Sequence, residues 1–390
     1  MSIKALQDYT FVGKYARYQA EKKRRETYKE SVDRVRAMMH KQYQSKDEEV
    51  HKMIDWAYDM MLKKKGLGSQ RALQFGGDPI FKHNARMFNC TVSFADRVRF
   101  FQECMYMLLC GCGVGFSVQH KHINKLPNLL SEKNGVVKYT IPDDIEGWSD
   151  AIGILISSYF EGDSEFPDYQ GKDISFVFTK IRPKGTRISG GGKAPGPEPL
   201  KKAIGNIKNI LDKAMSRGDK RLKSIEVYDM VMHFADAVIS GGVRRSATIC
   251  LFSPDDKEMA TAKTGNWFMD NPQRGRSNNS ALLIRDKTTP EQFAELMKSV
   301  KEFGEPGFVW ADDEDFIVNP CVEIGMYPVD IETGESGWQG CNLSTVNCAK
   351  VNTAEDFYDA VRAVTIIGTL QAGFNSFPYL GKISEKIFAR

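Results

Sequence analysis

The sequence predicts an α/β protein, because segments with the spacing of packed helices alternate with short segments typical of strands. The clearest strand is centred on Ile174, Phe176 and Phe178, three apolar residues at every second position. Helices are expected on either side of it, at Trp148–Phe160 and at Pro199–Met215. These three segments place the alternation in the middle of the chain.

The region before this alternation, residues 1–85, is expected to be helical and strongly charged. Its most regular helix follows the acidic run Asp47–Glu49 and precedes Lys63–Lys65, and charges of these signs favour a helix dipole. One face of that helix is apolar: Val50, Met53, Ile54, Ala57, Met60 and Met61. The basic run Lys22–Arg25 could contact phosphate, but the acids interleaved with it favour a solvated helix face.

Four further helices are expected along the rest of the chain: Arg97–Cys110, Ser224–Ile239, Pro290–Phe303 and Thr353–Gln371. The Pro290 helix has the clearest ends. Thr289 is a good N-cap, Gln292 completes a capping box, and Gly304 follows the last turn. The sequence contains no internal repeat and no low-complexity linker, so it sets no sharp domain boundary.

Composition limits the class of protein. The chain has 390 residues, of which 42% are hydrophobic and 27% charged, and its formal net charge is +4. These values exclude fibrous and disordered proteins and give little support to nucleic-acid binding. No apolar segment approaches the ~20 residues that a membrane span needs, and the first residues lack the apolar core of a signal peptide. We expect two or three domains, with neither a membrane nor a nucleic acid as partner.

Cysteine usage indicates a reducing compartment, and a cytoplasmic location is expected. A secreted disulfide scaffold would be smaller and richer in cysteine than this chain. The eight cysteines are Cys90, Cys104, Cys110, Cys112, Cys250, Cys321, Cys341 and Cys348. In such a compartment a cysteine is more often inert, metal-bound or catalytic than bridged. The histidines show no metal-ligand spacing, and His120 and His122 are expected at the surface.

Three glycine-rich turns flank regular elements, at Gly111–Ser117, Ser189–Lys193 and Ser240–Ser246. Glycine lets a backbone approach an anion closely, but none of these turns has the P-loop or dinucleotide spacing. Tight turns are the favoured interpretation on glycine alone. The neighbouring Arg244 and Arg245 favour a phosphorylated ligand, because the guanidinium fork suits phosphate oxygens.

The segment Asn319–Glu323, followed by Cys341–Leu343, is the most informative part of the sequence. If the first segment is extended, Asn319, Cys321 and Glu323 lie on one face and present an amide, a thiol and a carboxylate together. For an isolated pair of this kind, a buried structural cysteine beside a surface glutamate would be the preferred interpretation.

Motifs along the whole chain resolve that choice. Asn319–Glu323 with Cys341–Leu343 resembles the active-site hairpin of ribonucleotide reductase catalytic chains. Cys90 after Asn89 resembles the first-strand cysteine of that family, and Gly111–Val118 resembles its glycine-rich turn. Six segments are similar to the adenosylcobalamin-dependent, monomeric class II type in particular: Tyr15–Arg17, Glu146–Trp148, Ile181–Gly185, Ala194–Leu200, Val243–Ala247 and Ser277–Ser280.

The resemblance implies reduction of ribonucleotides to 2′-deoxyribonucleotides for DNA precursor synthesis. Cys321 would become a thiyl radical that takes the 3′-hydrogen, Glu323 would act as base on the 3′-hydroxyl, and Asn319 would hold the ribose hydroxyls. Cys90 and Cys341 would form the dithiol that supplies two electrons and closes to a disulfide. The implied cofactor is adenosylcobalamin, with its main binding region expected outside these 390 residues.

The resemblance also implies a fold and further contacts. Residues 86–390 would form the first half of a ten-stranded α/β barrel, with an effector-site region at 111–235 and a central finger hairpin at 318–343. Candidate substrate or phosphate contacts are Gly113, Gly115, Ser117, Arg244 and Arg245. Candidate effector contacts are Lys184, Arg187 and Lys193.

Two features depart from the family pattern: Cys112 replaces a glycine, and Asp330–Gly337 lengthens the return strand of the hairpin. Family members also continue beyond the position that matches Arg390, so we expect a split reductase completed by a second chain. The other expected partners are a ribonucleotide substrate, a deoxynucleotide effector and a thioredoxin-like reductant. The alternatives are the large chain of a metal-radical reductase and a non-catalytic nucleotide-binding or assembly fragment.

Overall fold

The computed structural model of the chain describes residues 2–162, 164–188, 192–240 and 244–389. Its α-helices are α1 (Ile3–Lys14), α2 (Tyr28–Gln42), α3 (Glu48–Leu62), α4 (Gln70–Phe75), α5 (Asp78–Lys82), α6 (Arg99–Cys110), α7 (His120–Ile123), α8 (Ile145–Ser157), α9 (Glu198–Ser216), α10 (Ser224–Ala237), α11 (Lys257–Ala260), α12 (Trp267–Asp270), α13 (Pro290–Phe303), α14 (Ala354–Ala372) and α15 (Gly381–Phe388). Its strands are β1 (Tyr18–Gln19), β2 (Arg24–Arg25), β3 (Gly66–Leu67), β4 (Cys90–Phe94), β5 (Gly113–Ser117), β6 (Val136–Thr140), β7 (Asp173–Val177), β8 (Ile239–Ser240), β9 (Arg244–Arg245), β10 (Thr248–Phe252), β11 (Ser277–Ile284), β12 (Gly307–Ala311), β13 (Ile317–Val318), β14 (Gly325–Met326), β15 (Gln339–Cys341) and β16 (Thr345–Val346). The predicted α/β class is confirmed.

A six-stranded sheet forms the centre of the fold. Five parallel strands lie side by side in the order β4, β5, β10, β11 and β12, and the short β15 pairs antiparallel with the other edge of β4. Parallel strands that are neighbours in chain order are what the first half of an α/β barrel requires. Closure into ten strands stays a prediction. Every residue of β4, β5 and β10 is buried, as expected for strands covered on both faces.

The two faces of the sheet are covered by different elements. Alternate residues of a strand point to opposite faces, so Cys250 and Phe252 of β10 join the core beneath the helices. Ile249 and Leu251 instead pack with Ile317 of β13 in a second, smaller core. Helix α6 lies over β4 and β5 and is covered in turn by α8 and α10. The opposite face therefore carries the β13–β14 hairpin.

Local sequence signals account for the helix ends. The Thr289 side chain accepts from the Gln292 amide, and the Gln292 side chain accepts from the Thr289 amide. The predicted capping box before α13 is therefore confirmed. Gly304 ends this helix with φ +72°, a conformation that glycine adopts without strain. Helix α8 begins earlier than predicted because Asp144 Oδ1 accepts from the Gly147 amide at 2.7 Å.

The N-terminal helices pack on the far end of the chain. Helix α3 lies against α14, and β3 pairs with β16. The Tyr43 hydroxyl donates to the Leu370 carbonyl, which joins the end of α2 to α14. Of the three predicted glycine turns, Ser189–Lys193 and Ser240–Ser246 include residues 189–191 and 241–243, which lie outside the described residues. The third, Gly111–Ser117, is a turn only at its start, because Gly113–Ser117 form β5.

Candidate active site

The turn between β13 and β14 carries the motif Asn319–Glu323. The Val322 amide donates to the Asn319 carbonyl at 2.9 Å, which closes a tight turn over Pro320 and Cys321. Val322 has φ +66°, which is rare for a β-branched residue. The expectation of an extended segment with three side chains on one face is therefore wrong, because the chain reverses here. We call this segment the tip turn, and the tip turn with β13 and β14 the finger.

Burial separates the three motif side chains. Cys321 and Glu323 are exposed, whereas Asn319 is fully buried. Asn319 Oδ1 accepts from the Ile324 amide at 3.2 Å, which ties the two arms of the finger together. Asn319 Nδ2 has no hydrogen-bond partner within the described part of the chain. The finger thus presents a thiol and a carboxylate beside a buried donor that could hold a hydroxyl oxygen.

Cys90 begins β4 and Cys341 ends β15, and the two lie directly opposite each other in the antiparallel ladder. Opposed residues have Cβ atoms about 4.5–5.5 Å apart and a disulfide needs about 3.5–4.5 Å, so a small movement can close a bridge. A hydrogen bond with Cys90, followed by burial, raises the pKa of the Cys341 thiol above its usual value. Cys341 is therefore held as a thiol near neutral pH.

Asn89 explains why this register forms. Its amide donates to the Cys341 carbonyl at 2.9 Å, and its Oδ1 accepts from the Leu343 amide at 3.0 Å. The Ser69 hydroxyl donates to the same Oδ1 at 2.9 Å and fixes the side chain. One asparagine thus holds both ends of the Cys341–Leu343 motif next to Cys90.

The lengthened return strand, Asp330–Gly337, is held to the protein at its ends, whereas residues 331–335 between them are exposed. Asp330 is buried and pairs with Lys386 of α15 at 2.9 Å. Immediately after the segment, Trp338 is fully buried and its Nε1 donates to Glu103 of α6 at 2.9 Å. Asp330 and Trp338 thus tie the chain on both sides of the exposed residues to α15 and α6.

The finger and the dithiol meet above two glycines of β5. A Cβ atom at Gly113 would lie 3.2 Å from Pro320 Cγ and 3.3 Å from Cys90 Sγ, so both side chains reach the same small space. A Cβ atom at Gly115 would lie 2.1 Å from the Val318 carbonyl oxygen. The absence of side chains at both positions lets the finger lie flat on the sheet, with the tip turn beside Cys90.

The candidate phosphate contacts stay predictions. Gly113 and Gly115 are buried beneath the finger, and Ser117 is fully buried with its hydroxyl in hydrogen bonds inside the protein. The side chains of Arg244 and Arg245 lie outside the described part of the molecule, although their backbone forms β9.

A cavity of about 610 Å³ lies away from the finger, beside the N-terminus of α8. Its lining carries four cationic side chains, those of Arg17, Lys82, Arg86 and Arg182, and four acidic ones, those of Asp78, Asp143, Asp144 and Glu146. Arg17 Nη2 is buried without a hydrogen-bond partner in the described ranges, and burial followed by the charge of Arg34 lowers the pKa of Arg17 to about 10. Four segments with motif resemblance, those of Arg17, Trp148, Arg182 and Ala194, meet at this cavity.

The candidate effector residues lie on the loop that borders the cavity. The loop contributes Arg182, Ile188 and Ala194–Gly196 to the lining. The backbones of Arg187 and Lys193 form an antiparallel bridge across the loop. The Arg187 guanidinium lies 5.3 Å from the centre of the Tyr18 ring. Lys184, Arg187 and Lys193 are exposed neighbours of the lining residues, and their effector role stays a prediction.

Sequence reasoning missed one buried polar cluster. The prediction that His122 lies at the surface is wrong: it is fully buried, 2.8 Å from Ser117 Oγ and 3.2 Å from Asp315. Its partner is remote in sequence, so local charge around Lys121 gave the wrong signal. Across the described ranges, no group of three or more acidic, histidine or cysteine side chains could hold a metal ion. The helices of the same ranges are too short or too polar to cross a bilayer.

Comparisons with known proteins agree with this architecture. A family model described as the insertion domain of B12-dependent ribonucleotide reductase matches residues 117–211. A crystal structure of a B12-dependent, class II ribonucleotide reductase superposes with a TM-score of 0.76 at 22% identity, covering 92% of this chain and 58% of that one. The fold is therefore that of the ribonucleotide reductases.

Sequence relatives carry a related description. The chain is 31% identical over 282 residues to an adenosylcobalamin-dependent ribonucleoside-triphosphate reductase of Lactobacillus delbrueckii, a match of 64% of this chain and 36% of that protein. A reductase of the same description from Euglena gracilis is 27% identical over 325 residues, covering 76% of this chain and 41% of that protein. The resemblance to adenosylcobalamin-dependent, class II ribonucleotide reductases is confirmed, and the chain spans about two-fifths of these relatives' length.

Proposed function

We propose that this chain carries the thiol chemistry of a ribonucleoside-triphosphate reductase that makes 2′-deoxyribonucleotides. The observation that supports this most strongly is the meeting of the finger with the opposed pair Cys90 and Cys341 above Gly113. A substrate ribose held at the tip turn would lie within reach of Cys321 and of both reducing thiols.

Each side chain has a part that suits its position. The exposed Cys321 thiol would lose a hydrogen atom, and the resulting thiyl radical would take the 3′-hydrogen of the ribose and return it at the end. Glu323 would accept the 3′-hydroxyl proton as a general base. The unpartnered Nδ2 of Asn319 would hold a ribose hydroxyl.

The reduction balances with one dithiol. The 2′-hydroxyl leaves as water and hydrogen replaces it, while Cys90 and Cys341 together give up two hydrogens and form one S–S bond. Cys341 is kept as a thiol by its raised pKa, so it carries the proton that the leaving hydroxyl needs. A thioredoxin-like dithiol would then reduce the bridge by exchange.

Adenosylcobalamin, when bound, would supply the radical that removes the Cys321 hydrogen atom. The exposed position of Cys321 at the outer end of the finger fits this requirement, because the thiol is open to an approaching group. We assign no residue of this chain to cobalamin binding.

We propose that a deoxynucleotide effector binds in the cavity of about 610 Å³ beside the N-terminus of α8. Arg17, whose Nη2 has no hydrogen-bond partner in the described ranges, could contact phosphate together with Lys82 and Arg86. Arg182 is already paired with Asp143 at 2.5 Å, and Asp144 caps the N-terminus of α8. The loop that borders this cavity carries Lys184, Arg187 and Lys193, which could contact the outer phosphates of the effector.

We also propose that a second polypeptide segment completes the enzyme. Strand β12 lies at the edge of the main sheet, and Phe308 and Trp310 on it are 40% and 39% exposed. An unpaired parallel edge with exposed aromatic rings favours a covering partner. Such a partner would supply further strands of the barrel.

The test is an activity assay with adenosylcobalamin, a dithiol reductant and each ribonucleoside di- and triphosphate, with the chain alone and with candidate partner chains. We expect cobalamin-dependent deoxynucleotide formation that Cys321→Ser abolishes, whereas Cys348→Ser, an exposed cysteine outside the site, leaves it unchanged. Product formation by Cys321→Ser would refute the assignment. Activity without cobalamin but with a metal-radical subunit would favour that class instead.

A further inference from the structure

A chain of hydrogen bonds joins the end of β5 to the base of the finger. Ser117 Oγ lies 2.8 Å from His122 Nδ1, and His122 Nε2 lies 3.2 Å from Asp315 Oδ1. Asp315 stands two positions before β13 and four before Asn319. The His122 ring also stacks on Phe94, the last residue of β4, with ring centres 3.9 Å apart and planes 9° apart.

The connectivity is that of a hydrolase triad, but the environment is not. Ser117 and His122 are fully buried and their side-chain polar atoms are already hydrogen-bonded inside the protein, so this is not a catalytic triad open to substrate. What remains is a structural connection between the parallel sheet and the segment that leads into the finger.

The donors and acceptors around His122 indicate its protonation state. Asp315 accepts, so His122 Nε2 carries a hydrogen, and in the neutral ring Nδ1 then accepts from the Ser117 hydroxyl. The Ser117 oxygen in turn accepts from Gln119 Nε2 at 3.0 Å. Every group has its partner only while His122 is neutral. Burial, the dominant cause, lowers the pKa of His122 and agrees with this.

A second connection reinforces the first. Gln119 Nε2 also donates to the Glu314 carbonyl at 3.0 Å, and Lys121 Nζ lies 2.7 Å from Asp315. One turn after β5 thus holds the backbone of Glu314 and the side chain of Asp315 together. Asp315 is bound from the buried side by His122, and Lys121 forms a more exposed ion pair with it on the solvent side.

From these contacts we propose that His122 is a positioning residue: its hydrogen bond to Asp315 sets the place of the finger and hence of Cys321. The catalytic consequence rests on the proposed reductase function, but the positioning itself does not. We call the Ser117–His122–Asp315 chain of bonds the finger clamp.

Two variants of similar size separate the two halves of the finger clamp. Glutamine places its amide near the Nε2 position and asparagine near the Nδ1 position, so His122→Gln keeps a donor for Asp315 and His122→Asn does not. Lys121→Gln is the control on the solvent side, because it removes the exposed ion pair and leaves the buried bonds.

The measurement is hydrogen–deuterium exchange of the whole chain, resolved for the peptides that contain the finger and those that contain β10. We expect His122→Asn to speed exchange in the finger by about tenfold with β10 unchanged, and His122→Gln and Lys121→Gln to stay near the unmodified protein. Equal exchange in His122→Asn and the unmodified protein would overturn the proposal. Equally accelerated exchange of the finger in His122→Asn and His122→Gln would also overturn it. Faster exchange in β10 as well as in the finger would do the same, since either result indicates a general loss of stability.

Activity gives an independent result. In the reductase assay we expect His122→Asn to lower kcat with KM unchanged, because substrate still binds while Cys321 is misplaced. A loosened finger with normal kcat would refute the catalytic consequence. If the unmodified protein shows no reductase activity but the finger loosens as described, the proposed function fails and the finger clamp stands.

Discussion

Replacing Gly115 by alanine tests whether the finger lies flat on the sheet. A Cβ atom there would stand 2.1 Å from the Val318 carbonyl oxygen and 3.0 Å from Val92 Cγ1. Carbon and oxygen come into contact at about 3.3 Å, so β13 would have to move away by more than about 1 Å. The clash is with backbone, which cannot rotate aside as a side chain can.

The size of the effect follows from that displacement. Overpacking a buried site costs about 1–3 kcal/mol of folding free energy, and Gly115→Ala should fall in this range. A misplacement of about 1 Å at a reacting group can cost about 100-fold in rate, so kcat should fall by a similar factor. Gly113→Ala should cost less, because its neighbours Pro320 Cγ and Cys90 Sγ are side-chain atoms at 3.2 and 3.3 Å.

The assay is urea unfolding followed by circular dichroism, with Gly205→Ala as the matched control. Gly205 lies within α9 and a Cβ atom there would meet nothing within 4 Å, so this variant should gain about 0.5–1 kcal/mol. The expected order of stability is Gly205→Ala, then the unmodified protein, Gly113→Ala and Gly115→Ala. A Gly115→Ala protein as stable as the unmodified one would refute the placement of β13.

Two other predictions concern the helical parts of the molecule. Thr289→Ala removes the N-cap of α13 and should cost about 1 kcal/mol in urea unfolding, whereas Thr288→Ala next to it should cost little. Burial, then the charges of Arg86 and Lys82, lowers the pKa of His83 to about 4. Its neutral form is therefore the one that the fold favours, and about 3 kcal/mol of stability present above pH 6.5 should be lost as the pH falls to 4. His83→Gln should flatten that part of the stability curve, and an unchanged slope would contradict the assignment.

Local signals were sufficient for much of the fold. The capping box at Thr289, the glycine end at Gly304 and the apolar face of α3 depend on neighbours within one or two helical turns. The other predicted helices and the strand near Phe176 are confirmed for the same reason, with shifts of a few residues at their ends. The helix face predicted at Lys22–Arg25 is wrong, because Arg24–Arg25 form β2 and pair with β1. Such interactions form between residues close in sequence, so spacing alone predicts them.

Features that depend on distant partners could not be predicted in this way. Asn319–Glu323 looked extended, but the Asn319–Val322 hydrogen bond makes it a turn. His122 looked exposed beside Lys121, but Asp315 and the sheet bury it. The pairing of Cys90 with Cys341 was predicted from the family resemblance alone, because the two are remote in sequence and only the sheet register brings them together. The side chains of this site come from distant parts of the sequence and meet only in the folded chain.

Cys90 and Cys341 should be oxidised together, once for each substrate reduced, if they are the reducing pair beside Cys321. The direct measurement is a single-turnover reaction with adenosylcobalamin and a ribonucleoside triphosphate, without external reductant, in the assembly that the activity assay identifies as competent. Peptide mapping after alkylation should find one Cys90–Cys341 disulfide for each deoxynucleotide formed. Deoxynucleotide formation with both cysteines recovered as alkylated thiols would contradict this assignment.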